Sequence, residues 1–205
     1  MKWYWLLILF LFLALFQLLQ IVDLNRSVKD LSASKQLIYQ QKKMLEREME
    51  DNEKITKMQH WFEGVQIDDM LLTDFYSKDT VSLSSLLTID KSLFLFISEK
   101  SCTTCYLPYL KKMNSLAKKR GFDRVFLLAD YENRVGLKSL LFEHDIRMKV
   151  YTIVKTDRLF EHNIEPISFL LTLNRYIDNV FIPHKTNFSL VESYLNIVEE
   201  RFFND

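Results

Sequence analysis

LFLFISEKSCTTC, residues 93–105, changes character midway. The run LFLFIS (93–98) is short, apolar and rich in aromatic side chains, the pattern of a buried strand. After two charged residues, SCTTC opens a stretch with helical character that extends to about residue 119 and stops before Gly121. Cys102 and Cys105 therefore stand where a strand hands over to a helix. Residues three apart in a first helical turn share one face, close enough for a small disulfide ring. A helix N-terminus presents N–H groups and a partial positive charge, and both stabilise a thiolate. Cys102, the more N-terminal of the pair, is the expected nucleophile. Lys100 and the hydroxyls of Thr103 and Thr104 are expected to add to that stabilisation. Cys105, one turn further in, is the expected resolving thiol, which attacks the mixed disulfide and releases the partner.

Other uses of two thiols are weighed against this one. A structural zinc site takes four ligands, whereas the chain offers two Cys and four His (His60, His144, His162, His184) with no paired spacing. Covalent haem needs His directly after the second Cys, and position 106 is Tyr. Hence no metal and no cofactor is expected beyond a redox-active Cys102–Cys105 disulfide. Three alternatives stay open on the residues alone: two inert buried thiols, a module whose thiolates hold a soft ion such as Cu(I), and a non-catalytic membrane-tethered interaction protein. Lys plus Arg and Asp plus Glu number 27 each, so the charge balance gives no sign of a nucleic-acid partner. At 48% hydrophobic and 26% charged, the chain has a globular balance.

Downstream of the cysteines, residues 124–129 (RVFLLA) read as a strand and 133–144 as a helix. Residues 149–154 alternate like a strand and read as an insertion. Residues 167–173 (ISFLLTL) and 179–182 (NVFI) read as strands joined across the polar turn 174–178. Residues 187–203 read as a closing amphipathic helix, with Leu190, Tyr194, Ile197, Val198 and Phe202 on one face. The order β-α-β-α, a hairpin and a last helix predicts an α/β sheet with helices on both faces.

Upstream, neither Gly nor Pro occurs before Gly64, which predicts a long helix. Residues 3–22 (WYWLLILFLFLALFQLLQIV) carry no charge; such a helix spans about 30 Å, the thickness of a bilayer's hydrocarbon core. Trp3, Tyr4 and Trp5 suit the headgroup level. A cleaved signal peptide needs a basic start, a shorter apolar run and a small-residue cleavage site. Ala14 is the sole Ala here and the run ends in Gln17, Gln20 and Asp23, which favours an uncleaved signal anchor. Beyond it Leu24, Leu31, Ile38 and Leu45 recur every seven residues, with Val28 and Met49 at the companion position. Lys35 and Lys42 interrupt that seam. A coiled coil making a homodimer and a lone solvated stalk both fit. The predicted organisation is 1–23 transmembrane anchor, 24–65 helical stalk and 66–205 folded domain.

Over residues 76–203 the chain resembles the thioredoxin-like superfamily, in particular the redoxin group with its membrane-anchored thiol–disulfide oxidoreductases. The resemblance rests on VSLSSLL (81–87) leading into LFLFIS, on SCTTC in the active-site position, on EPISFLLTLN (165–174), and on the turn, strand and helix that follow. It implies a thioredoxin-like fold with a central mixed sheet flanked by helices, and exchange with protein disulfides, in the reducing direction more than the oxidising one. It implies a cis-proline at Pro166, with the Glu165 backbone beside Cys102 to pair with an extended partner chain; Thr103 and Thr104 would join that binding surface. It further implies an unidentified redox partner and a single-pass cell-membrane protein, N-terminus inside and domain extracytoplasmic (periplasmic in a Gram-negative cell). The chain departs from the pattern at Ser101, where many relatives have Trp, and at Thr104, where Pro is common. It also departs at Phe96, where thioredoxins proper keep a buried acid, and at Glu165, whose carboxylate would raise a nearby thiol's pKa.

Overall fold

The computed structural model describes residues 2–154, 160, 165–185 and 188–203; His162 and the expected helix start at Asn187 lie outside the described residues. In chain order the elements are α1 (Lys2–Phe62), β1 (Leu71–Asp74), β2 (Thr80–Ser82), α2 (Leu83–Leu86), β3 (Lys91–Ser98) and α3 (Thr103–Arg120). There follow β4 (Val125–Asp130), α4 (Arg134–Glu143), β5 (Lys149–Ile153), β6 (Ile167–Thr172), β7 (Ile177–Phe181) and α5 (Phe188–Phe202).

α1 is the unbroken helix that the lack of Gly and Pro predicts. It ends where Gly64 takes φ 74°, a left-handed turn open to glycine at little steric cost. The chain divides into two compact units, Met1–Asp51 and Asn52–Asp205. In the first unit the described side chains up to Glu50 are exposed, among them Leu24, Val28, Leu31, Ile38, Leu45 and Met49 of the heptad seam. By length and composition, α1 qualifies as a helix able to cross a membrane.

The second unit begins at Asn52, inside α1, and not at residue 66 as the sequence suggests. The physical reason is burial. Phe62 is fully buried, and Ile55 and Met58 pack against the same cluster, so the last turns of α1 belong to the folded domain.

Seven strands form one mixed sheet in the order β2-β1-β5-β4-β3-β6-β7. β3 runs parallel to β4, with Leu93 opposite Val125 and Ser98 opposite Asp130. It runs antiparallel to β6, from Lys91 opposite Thr172 to Phe96 opposite Ile167. β5 lies parallel to β4, and β7 antiparallel to β6. The stretch 81–87 that leads into β3 divides into β2 and α2, with Ser82 capping α2, and β2 closes an unanticipated hairpin with β1 that pairs onto β5.

Strand alternation sorts β3 into two dry layers. Leu93, Leu95 and Ile97 face α3, α4 and α5, where Tyr106, Tyr109, Leu137, Leu141, Val191 and Leu195 close the layer. Phe94 and Phe96 face the other side, which α1's end and α2 cover through Phe62 and Leu83. There Phe94 stacks on Phe126 at 5.0 Å and Phe96 on Phe160 at 4.6 Å. α5 buries Val191, Leu195 and Val198, whereas Leu190 and Ile197 are exposed. Val198, with Tyr194 and Phe202 packed against the same layer, keeps to the expected face, whereas Val191 and Leu195 take the inward places expected of Leu190 and Ile197. Tyr194 lies at the margin of that layer, stacked on Phe181 at 4.7 Å.

Candidate functional site

The site is built on the turn between β3 and α3. Ser98 closes β3, and its amide donates to Ser101 Oγ at 3.0 Å. The two hydroxyl oxygens lie 3.1 Å apart, and the Ser101 amide donates to the Ser98 carbonyl at 2.9 Å. Both serines are buried. Ser101, one of the departures from the family pattern, thus ties the residue before Cys102 to the end of the central strand. The Glu99 amide donates to the Asp130 carbonyl at 2.9 Å, extending the β3–β4 ladder by one step. Its carboxylate accepts from the amides of Glu132 and Asn133 at 3.1 and 3.2 Å, which fixes the approach to α4.

Cys102 is the N-cap residue of α3, with extended backbone (φ −64°, ψ 103°). Its carbonyl accepts from the amides of Cys105 and Tyr106 at 2.9 and 3.3 Å, closing the first turn. No acidic residue occupies that turn, so nothing within it offsets the positive end of the helix dipole at the sulfur. Cys102 is exposed, whereas Cys105 is only 3% exposed. The two are disulfide-bonded, with their Cα atoms 5.2 Å apart. This asymmetry is what a nucleophile reached by a partner and a resolving thiol shielded from it require.

Thr103 and Thr104 are exposed beside Cys102. Thr104 Oγ1 lies 3.3 Å from Cys102 Sγ, where its hydroxyl can donate to a thiolate. Proline at that position would lack this donor.

Pro166 is buried and directly precedes β6. The β3–β6 register ends at Phe96 opposite Ile167; carried one step further it would bring Pro166 level with Ile97, and a second step Glu165 level with Ser98. Both therefore lie at the sheet end that carries the cysteines. Among the described residues every peptide bond is trans, Glu165–Pro166 included, which corrects the cis-proline expected from the resemblance. Trans is the intrinsic preference of an X–Pro bond by about 0.5–1 kcal/mol, and only tertiary context reverses it. The Glu165 carboxylate pairs with Lys54 Nζ of α1 at 2.9 Å.

Two tyrosines near this end carry no signal in the sequence pattern. Tyr106, next to Cys105, is fully buried, and its hydroxyl lies 2.9 Å from that of half-buried Tyr131, just beyond β4. Burial, then the Tyr106 hydrogen bond, pushes the Tyr131 phenol well above its usual range, so it stays neutral. Burial does the same to Tyr109, whose hydroxyl meets Ser168 Oγ at 2.5 Å. Among the described residues, no group of three or more His, Cys, Asp or Glu side chains could hold a metal ion.

No protein-family profile matches the chain, and no curated protein does either. Solved structures do. A thiol:disulfide interchange protein from Bacteroides sp. superposes with a TM-score of 0.50 at 18% identity, over 70% of this chain and 91% of the other. A protein from Chlorobium tepidum assigned as the thiol:disulfide interchange protein DsbE superposes with a TM-score of 0.50 at 18% identity, over 66% of this chain and 96% of the other. The fold is thioredoxin-like. In this thioredoxin-like domain β5 lies between β4 and the β1–β2 hairpin.

Proposed function

We propose that the chain is a membrane-anchored thiol–disulfide oxidoreductase that acts on protein disulfides through Cys102 and Cys105. One observation carries the reading: an exposed sulfur at the N-cap of α3 bonded to a buried sulfur one turn further in. The two superposable structures, a thiol:disulfide interchange protein and one assigned as such, agree with it.

In the reduced state the helix N-terminus and the Thr104 hydroxyl favour the Cys102 thiolate. That thiolate attacks one sulfur of a partner disulfide, forming a mixed disulfide and expelling the partner's other sulfur as a thiolate. Cys105, deprotonated, then attacks Cys102 Sγ. The Cys102–Cys105 bond forms, the mixed disulfide breaks, and the second partner sulfur leaves. Two electrons pass from the dithiol to the partner, and the protons lost by the cysteines balance those gained by the released thiols. Return to the dithiol needs a second protein of the dithiol class as electron donor. An extended partner segment docks along the Glu165–Pro166 edge, with Thr103 and Thr104 opposite.

The uncharged stretch of α1 serves as an uncleaved anchor, N-terminus inside and the domain on the extracytoplasmic side, where disulfides persist. Anchoring raises the effective concentration near membrane-bound partners. The exposed heptad positions of the first unit pair two chains, which crosslinking in native membranes tests directly.

Trapping tests the central claim. The full chain with Cys105→Ser should accumulate a mixed disulfide with its partner, while Cys102→Ser should accumulate none. Equal trapping by the two variants, or none by either in cells containing oxidised exported proteins, would overturn it.

A further inference from the structure

Two buried serines, Ser98 and Ser101, close the turn before Cys102 with bonds that run in opposite directions. The Ser101 amide donates to the Ser98 carbonyl at 2.9 Å, and the Ser98 amide donates to Ser101 Oγ at 3.0 Å. Between them Glu99 and Lys100 are exposed, so the tip of the turn meets solvent while its base does not. A buried amide that loses its acceptor is costly where water cannot take the acceptor's place. On its other side Cys102 is held by its carbonyl, which accepts from the Cys105 and Tyr106 amides. The disulfide adds a covalent ring that fixes Cys102 against Cys105.

We infer that Ser101 is a positioning residue for the thiol pair: its hydroxyl keeps the open turn in the shape of the closed one and so favours the Cys102–Cys105 bond. This role deepens the proposed function and rests on the cysteine pair being redox-active. The two redox states feel the loss of the hydroxyl differently. In the disulfide form the ring holds the turn shut, and a Ser98 amide without its acceptor stays buried. In the dithiol form that restraint is gone, and a turn lacking the tie opens until water reaches the amide. Loss of the hydroxyl therefore destabilises the disulfide form more than the dithiol form. With the tie in place, each sulfur meets the other at a higher effective concentration, which makes the dithiol the stronger electron donor.

The test equilibrates the full chain, in detergent micelles, with reduced and oxidised glutathione. Two electrons move: the dithiol and one glutathione disulfide give the Cys102–Cys105 disulfide and two glutathione thiols. The chain has only two cysteines, so alkylation with a mass-adding reagent after acid quenching reads the dithiol fraction directly. Ser101→Ala should lower the equilibrium constant for oxidation about fivefold. Ser98→Ala removes an equally buried hydroxyl but keeps its amide bonded to Ser101 Oγ, and should stay within about twofold of wild type. Denaturant unfolding closes the cycle: Ser101→Ala should destabilise the reduced chain less than the oxidised one, by the same factor. An unchanged constant in Ser101→Ala, or an equal fall in Ser98→Ala, overturns the inference. Should Ser101→Ala fail to fold, the wild type decides alone. Its Ser98 amide should stay protected from hydrogen exchange after reduction, and loss of that protection overturns the role given to Ser101. Equilibration with glutathione needs no protein partner, so a chain that traps none refutes the proposed function while this series is still readable.

Discussion

Replacing Ser101 by Ala removes one oxygen from the turn between β3 and α3, and the structure fixes what that oxygen does. Its Oγ accepts from the Ser98 amide at 3.0 Å and lies 3.1 Å from Ser98 Oγ, and both residues are 6% exposed. In Ser101→Ala the Ser98 N–H stays buried without its acceptor, a desolvation penalty of about 1–3 kcal/mol. Ser98→Ala is the matched control. It loses the hydroxyl–hydroxyl contact but leaves the amide bonded to Ser101 Oγ, and should cost about 1 kcal/mol. For a cooperative unit the size of Asn52–Asp205, each kcal/mol lowers the midpoint by about 2–4 °C. Taking the middle of each range, Ser101→Ala should melt about 6 °C below wild type and Ser98→Ala about 3 °C below. The assay is thermal unfolding of the oxidised full chain, followed by the near-ultraviolet circular dichroism of its buried tyrosines. The account of the turn is refuted if Ser101→Ala melts with the wild type, or if the two variants lose equal stability.

Further outcomes follow from other contacts. Phe96→Ala opens a cavity against buried Phe160 and should cost about 3–5 kcal/mol, read by chemical denaturation. Thr104→Val removes the hydroxyl 3.3 Å from Cys102 Sγ and should raise the Cys102 pKa, measured by alkylation rate against pH; a fall would show that the hydroxyl does not donate to the thiolate. Tyr109 and Tyr131 have phenols raised by burial, so the native state holds their protons where an unfolded chain releases them. Their contribution is fully present below about pH 10 and is lost as pH rises from there toward the raised native values. Tyrosinate absorbance from these two residues should therefore appear together with unfolding; their ionisation in a still-folded chain would contradict the burial argument.

What the sequence discloses and what it hides divide along the range of the interactions. The strand at 93–98, the helix after Cys102 and the stop before Gly121 are legible because each is written in a few consecutive residues. The exposed and buried roles of Cys102 and Cys105 follow from one turn of helix. The β1–β2 hairpin escapes because its pairing with β5 joins Leu72 to Ile153, far along the chain. The domain boundary at Asn52 escapes for a related reason: Ile55, Met58 and Phe62 look like stalk residues until the aromatic layer they cover is known. On α5 an amphipathic reading finds a helix but not all of its inward places, since Leu190 and Val191 are equally apolar and only the neighbouring sheet chooses between them. Lys54 and Glu165, 111 positions apart, carry no local sign of each other. The trans bond before Pro166 is the point at which likeness to relatives outran the residues themselves.

Phe96 has a consequence for the timing of the exchange. Where thioredoxins proper keep an acid, this chain has an aromatic ring stacked on Phe160, and among the described residues no carboxylate is buried. In the proposed exchange the second thiol must shed its proton before it can strike, and no described buried carboxylate is there to take it. Deprotonation then falls to whatever reaches the open side of the disulfide: hydroxide, buffer, or a basic group borne by the docked protein. Release of the product is in that case gated from outside the molecule, and its rate should climb with buffer concentration as well as with alkalinity.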